Sequence, residues 1–314
     1  MGLIRKDYIL DRWVYFAPER AKRRKEFETH HKVKLPRKDS KCFFCQGNES
    51  LTPPEIGRLE ENGKWKIRWF PNKFPAVENK IFPKVSKPFI TKEPAYGFHE
   101  VIAECPEHDK QLWDLDEKHI KQLLEVYKER IAELSRQKGI KYVSVFKNYG
   151  PKAGTSLVHS HTQVAAISKI PTLVDEELNA IKKHKGCPYC KIIKLEKTSK
   201  RKCLENSTFI AICPYASRFN YEVWLFPKKH IKNITELDDK QLLDLAKILK
   251  KILIKLKQLD ASYNYFLHYA PKSSNLHFHI EITPRIAVWA GFEFSTNFTI
   301  NSVMPEEAAK FYRA

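Results

Sequence analysis

The sequence predicts an α+β protein made of two domains of one fold, each a mostly antiparallel sheet with a helix packed against it. Three observations predict it. An ordered series of CxxC, histidine, long amphipathic stretch, short strand and HxH occurs twice in 314 residues. The amphipathic stretches carry apolar residues at the 3–4 spacing of a helix with one buried face. An apolar stretch ending near a histidine precedes each, and a strand follows each. The domains are read as 1–170 and 171–314, with the join near Ser168–Thr172, where Pro171 interrupts the pattern.

The series opens with "CFFC" (Cys42, Cys45) in the first half and "CPYC" (Cys187, Cys190) in the second. Each is followed by an apolar stretch ending near a histidine, His108 and His230. The first helix is expected from about Asp116 to Gln137, with Ile120, Leu123, Leu124, Tyr127, Ile131 and Leu134 on one side and Gly139 as its stop. The second is expected from about Asp238 to Leu259, with Leu242, Leu245, Leu249, Ile252 and Leu256 inward. The strands "YVSVFKNYG" and "YNYFLHYAP" come next. "LVHSHTQV" (His159, His161) and "LHFHIEI" (His277, His279) close the two series.

Composition narrows the class. Apolar residues make up 42% of the chain and charged residues 30%, with a net charge of +19. Such a charge suits anionic partners: nucleic acid, an acidic membrane surface or phosphorylated small molecules. No run approaches the roughly 18 apolar residues of a membrane span, and no signal peptide is visible. The expectation is a cytoplasmic protein without a membrane or nucleic-acid role. Seven cysteines, four of them in two CxxC pairs, argue for metal over disulfides in a reducing compartment.

Structural zinc takes four tetrahedral Cys or His ligands. Each half offers such a set: Cys42, Cys45, His108 and His159, then Cys187, Cys190, His230 and His277. Cys105 is an alternative to His108, and a solvated Lys-Lys-His turn is the plain reading of His230. A redox CxxC is the rival for either pair, but it belongs at the start of a helix in a thioredoxin-like pattern, which the first pair lacks. Zinc is expected at both sites, with iron possible at one.

In "VHSHTQVAAI" alternate residues of a strand share a face, so His159, His161 and Gln163 lie together. With His159 on a metal, His161 lies beside it. A neutral imidazole attacks phosphorus, and the phosphoryl-imidazole formed passes its group onward. Gln163 is placed to donate its amide to a phosphoryl oxygen. Upstream lies "NYGPKAGTS", Asn148 to Ser156. Its backbone N–H groups, those of Gly154 and Thr155 among them, and the Ser156 hydroxyl suit a phosphate. The loop lacks the spacing and the Gly-Lys-Ser/Thr ending of a P-loop.

"NYGPKAGTSLVHSHTQ" resembles the active-site segment of galactose-1-phosphate uridylyltransferases, which belong to the histidine-triad superfamily and carry two such domains in tandem. "RWVYFAPERAKRR", "CFFCQGNE" and "WFPNKFPAV" are similar to the family's phosphate-binding, metal-binding and nucleoside-binding stretches, and "GFEFSTNFTINSVMPEEAA" to the tail of the branch with ADP-glucose phosphorylases. The resemblance covers nearly the whole chain. It implies that each domain is histidine-triad-like, that His161 takes up a nucleoside monophosphate and that Gln163 steadies it. It implies phosphate contacts from Arg20, Arg23, Asn148 and Ser156, and a nucleoside contact from Asn72. It also implies a homodimer in which Phe292 and Glu293 of one subunit reach the other's sugar. The expected partners are a nucleoside diphosphate hexose and a hexose 1-phosphate, as in galactose metabolism, or inorganic phosphate.

Three positions depart from the bacterial transferases: Ser160 replaces Pro, Thr162 replaces Gly, and Thr299 stands where a sugar-binding Gln is found. The first departure is shared with ADP-glucose phosphorylases, as is the second CxxC. In the second half Glu281 stands where Gln163 stands in the first. A carboxylate repels a phosphoryl group, so that half is read as structural. A zinc-containing nucleic-acid binder is the reading from another class. Against it, Lys247, Lys250, Lys251 and Lys255 spread along a solvated helix face, and no zinc-finger spacing is present.

Overall fold

The computed structural model describes residues 2–6, 13–16, 36–272 and 274–314. They form an α+β fold with large antiparallel sheets and six α-helices among the described residues. The chain divides into two compact units that interleave in sequence. The first holds residues 1–110, 127–145 and 156–180, and the second holds 111–126, 146–155 and 181–314.

The first unit has a small antiparallel sheet, in the order β2 (Trp13–Phe16), β1 (Leu3–Lys6), β6 (Ile90–Pro94), β5 (Val85–Lys87). Its main sheet runs β9 (His161–Ile167), β7 (Gly97–Ala103), β4 (Lys64–Pro71), β3 (Gly57–Glu61), every pair antiparallel. The start of β8 (Tyr142–Tyr149) lies beside β9. Register decides what faces the site. Ala103 pairs with His161 and Val101 with Gln163, while Phe70 of β4 pairs with Val101. Phe70, Val101 and Gln163 therefore form one row on one face.

The opposite face is covered by the second half of α1 (Glu117–Leu134). The expected inward residues Tyr127, Ile131 and Leu134 are at most 3% exposed. Tyr127 Oη lies 2.5 Å from Thr162 Oγ1, and Arg130 makes two 2.9 Å bonds to the Glu100 carboxylate. The helix stops earlier than the spacing predicts. Its last turns tighten through Arg136 N–H to the Glu133 carbonyl and Gln137 N–H to that of Leu134, and Gly139 follows at φ +82°. Such tightening satisfies terminal carbonyls without a further α-turn. The unit closes with α2 (Thr172–Ile181).

In the second unit the sheet order is β10 (Lys202–Glu205), β11 (Phe209–Ile212), β12 (Val223–Pro227), β14 (His279–Pro284), β13 (Tyr263–His268), antiparallel throughout. The end of β8 pairs with β13. After β8 the chain turns at Gly150, whose φ of +82° and 2.2 Å approach of a notional Cβ to Ser262 Oγ admit no side chain. Helix α4 (Asp239–Gln258) begins with a capping box: the Asp238 carboxylate accepts from Gln241 N at 2.8 Å, and Gln241 Oε1 accepts from Asp238 N at 2.9 Å. Leu242, Leu245, Leu249, Ile252 and Leu256 are all buried. Burial stabilises by roughly 1.5–3 kcal/mol for each such side chain. Helices α3 (Pro188–Glu196), α5 (Gly291–Thr296) and α6 (Pro305–Arg313) complete this unit.

Candidate active site and metal centres

The first Cys/His set converges in the first unit. Cys42 and Cys45 sit in a turn clamped by Asn48, whose Nδ2 donates to the carbonyls of Asp39, Ser40 and Cys42 at 3.1, 3.1 and 2.8 Å. His159 Nδ1 lies 3.7 Å from Cys42 Sγ and 3.6 Å from Cys45 Sγ, and His108 Nδ1 lies 3.6 Å from Cys45 Sγ. In the second unit Cys190 Sγ is 3.5 Å from the Nδ1 of both His230 and His277, and Cys187 Sγ is 3.9 Å from that of His277. Within each set the ligand atoms lie within 4.8 Å of one another.

These spacings fit a metal. Zn–S bonds of about 2.3 Å and Zn–N bonds of about 2.0–2.1 Å at the tetrahedral angle put sulfur and nitrogen about 3.6 Å apart. The tautomers fit as well. His159 Nε2 donates to the Cys105 carbonyl at 2.7 Å and His277 Nε2 to that of Pro227 at 3.0 Å, leaving each Nδ1 lone pair for the ion. Burial lowers His277 to about 4, so the ring is neutral at pH 7, the ligating form. His108 joins the first set. Cys105 instead directs its thiol toward the carbonyls of Glu107 and Lys110. The second CxxC does start a helix, with Cys187 as N-cap of α3 and Pro188 following. Redox chemistry needs that placement, but two imidazoles on the same thiols suit an ion. Zinc there would supply cross-linking of distant segments.

His161 opens β9, and His159 and Ser160 precede it. His161 Nδ1 donates to the His159 carbonyl at 2.8 Å, which in the neutral ring puts the lone pair on Nε2. The ring meets Phe44, at 5.3 Å between centroids, and Phe44 N–H points to Cys42 Sγ at 3.5 Å. His161 and Gln163 line a cleft of about 590 Å³ counted to its open mouth. Asn72 and Ser156 line it too, with Phe43, Phe70, Phe74, Leu51 and Leu157 as apolar walls. Asn72 Oδ1 accepts from Phe74 N at 2.9 Å.

The other expected contacts that the structure describes belong to the second unit. Asn148 Oδ1 accepts from Asn264 Nδ2 at 2.8 Å, and Gly154 takes φ +80° after a short turn; with Thr155 they belong to the second unit. Phe292 is half exposed on α5, and Glu293 caps that helix by accepting from Ala290 N at 2.9 Å. Arg20 and Arg23 lie outside the described residues.

Sequence reasoning missed three groups. Lys73 lines the cleft, its ammonium 5.4 Å from the Phe43 ring centre. Glu104 is fully buried beneath the strand and accepts from Ser160 Oγ and, at 2.5 Å, from Thr162 Oγ1. His99 contacts both Asn72 and Gln163. Only the alternation of "GFHEVIA", which puts His99 and Val101 on one face, signalled the last.

Comparison with known proteins shows the class: the relatives are transferases and phosphorylases. More narrowly, the chain belongs to the galactose-1-phosphate uridylyltransferase family, whose N-terminal domain model matches residues 4–171. A model for a domain of unknown function matches residues 108–311. ADP-glucose phosphorylase of Arabidopsis thaliana is 36% identical over 99% of this chain and 92% of its own length. Galactose-1-phosphate uridylyltransferase of Thermotoga maritima is 30% identical over 85% of this chain and 90% of its own. A crystal structure of the Arabidopsis thaliana phosphorylase with bound ADP-glucose superposes with a TM-score of 0.77, at 32% identity over 100% of this chain and 98% of that one. No helix among the described residues is long and apolar enough to cross a membrane.

Proposed function

We propose that the protein moves a nucleoside monophosphate from a nucleoside diphosphate hexose to a phosphate-bearing acceptor through a covalent intermediate on His161. The observation that supports this reading is the His161 ring, held through Nδ1 on the His159 carbonyl and lining the same cleft as Gln163, Ser156 and Asn72. That nitrogen attacks the α-phosphorus, the bond to the bridging oxygen breaks, and hexose 1-phosphate departs as an anion that needs no proton. An oxygen of the ionised acceptor then attacks the same phosphorus, and the P–N bond breaks to free His161. Donors fixed before the reaction, Gln163 and Ser156 among them, are proposed to stabilise the charged phosphoryl oxygens. The apolar walls with Asn72 are proposed to hold the nucleoside. Arg20, Arg23, Asn148, Gly154 and Thr155 remain proposed phosphate contacts by family likeness, and Phe292 and Glu293 proposed sugar contacts across a homodimer. The two Cys/His sets are proposed zinc sites.

Two acceptors are in play. The near full-length likeness to an ADP-glucose phosphorylase, together with Thr299 in the tail, supports inorganic phosphate with ADP-glucose as donor. The likeness to galactose-1-phosphate uridylyltransferases supports the second reading, uridylyl transfer between hexose 1-phosphates. A matrix of UDP-, ADP- and GDP-glucose against phosphate, glucose 1-phosphate and galactose 1-phosphate tests them. Release of nucleoside diphosphate with phosphate alone supports the first reading, and exchange only with hexose 1-phosphates supports the second. No turnover with any pair would sink both.

A further inference from the structure

An amide presents a donor at one end and an acceptor at the other, and only the donor end helps an anionic phosphoryl group. We infer that His99 is a positioning residue that holds the Gln163 amide with its NH2 group toward the reacting phosphoryl oxygens. The inference rests on the proposed role of His161.

Register brings the two side chains together. On the β7–β9 pair His99 lies opposite Ala165 and Val101 opposite Gln163, so His99 is the diagonal neighbour of Gln163 on the cleft face. Both are buried. His99 Nδ1 lies 2.9 Å from the backbone N–H of Ala76. A backbone N–H donates and never accepts, so Nδ1 is bare and the neutral ring carries its proton on Nε2. Nε2 faces Gln163 Oε1 at 3.1 Å and Asn72 Nδ2 at 3.3 Å. Asn72 is unable to accept there, because its Oδ1 is turned to the Phe74 N–H at 2.9 Å. Gln163 Oε1 takes the His99 proton. The Nε2 end of Gln163 donates to no described residue, and the side chain lines the cleft. Flipping the amide would set a second amino group against the His99 N–H, beside that of Asn72, leave that N–H no acceptor among these two side chains, and turn oxygen to the phosphoryl anion. The orientation thus traces to one backbone N–H, through one imidazole, to one amide.

The test is the single-turnover rate at which the enzyme takes label from ADP-glucose or UDP-glucose carrying 32P at the α-phosphate. Removing one fixed donor to a developing oxyanion costs about 10²–10³ in rate, which bounds the effect of misorienting it. His99→Asn keeps an acceptor for Ala76 N–H and loses the donor to Gln163. It is expected to label about 10- to 100-fold more slowly with the half-saturating donor concentration unchanged. His99→Gln, whose longer amide returns an N–H near the Nε2 position, is expected to recover most of the rate. His99→Asn in a Gln163→Ala background is expected to cause no further loss. Labelling of His99→Asn at the wild-type rate, or an equal slowing in the Gln163→Ala background, would overturn the inference. Absence of label on the wild-type enzyme is the separate failure of the His161 reading, and the inference would fall with it. A second measurement needs no variant: 15N NMR of the histidine rings is expected to show His99 protonated at Nε2, and a proton at Nδ1 would overturn the inference.

Discussion

His161 Nδ1 stands 2.8 Å from the carbonyl oxygen of His159, and the same bond recurs in the second unit between His279 Nδ1 and the His277 carbonyl at 2.9 Å. One backbone carbonyl in each HxH sets the tautomer of the second ring while the first ring faces two thiols. The surroundings then diverge. His161 faces a cleft. His279 is fully buried against Tyr189, Phe226 and Trp224, with the Glu281 carboxylate 3.6 Å from its Nε2.

That contrast predicts opposite phenotypes. His161→Ala is expected to keep its melting temperature and lose about 10⁴-fold or more in turnover. His279→Ala is expected to lose about 3 kcal/mol of stability through its emptied packing site and to keep transfer within about tenfold at a temperature where it is folded. Denaturant melts and initial rates on the two variants decide. Lost chemistry in a folded His279→Ala would contradict the assignment.

Metal analysis tests the Cys/His sets. Elemental analysis is expected to find about two zinc ions per chain. Cys42→Ser and Cys187→Ser are each expected to lose about one. Cys42→Ser should also slow transfer, because the His161 ring hangs on the His159 carbonyl and the ion would fix His159. Cys187→Ser should lower the melting temperature with transfer largely kept. Wild-type protein purified without chelator and carrying no metal would refute both assignments.

Glu104 supports β9 from behind. Replacing it with Ala would leave the Ser160 and Thr162 hydroxyls without their carboxylate acceptor in a dry interior. The expected loss is about 2–4 kcal/mol. Glu104→Gln, which keeps one acceptor, is expected to lose about half of that. Equal stability of all three proteins in urea melts would contradict the role.

Glu281 supplies a pH signature. Burial pushes its carboxyl up, but the His279 and His268 rings and the Arg218 guanidinium that face it outweigh this and hold it below the usual carboxylate range. Arg218 Nη2 lies 2.6 Å away and also faces Glu222 at 3.6 Å. An unfolded Glu titrates near about 4.3. The group therefore stabilises the fold fully above that pH, and the contribution is lost as pH falls through the lower folded value. The gap in urea midpoint between wild type and Glu281→Gln is expected to be constant above about pH 5 and to shrink below about pH 4. A gap independent of pH down to 3 would refute the pairing.

Much of this was legible in the sequence because the informative features were local or periodic. The 3–4 spacing marked α1 and α4. CxxC and HxH name their own ligands once the repeat is seen. Long-range pairing hid the rest. Nothing near "GFHEVIA" announces that His99 meets Gln163, since their contact depends on the β7–β9 register. Glu104 reads as one more charged residue at a strand end until Ser160 and Thr162 are laid over it. The helix ends were set by tightened turns that spacing does not report.

The central claim is the covalent bond to His161. Intact-protein mass spectrometry after mixing with ADP-glucose or UDP-glucose, quenched in alkali because a phosphoryl-imidazole is labile to acid, tests it directly. The expected result is a mass increase of one nucleoside monophosphate, mapped to the peptide with His161 and absent from His161→Ala. Turnover with no adduct on the wild-type protein, or an adduct on another residue, would contradict the account.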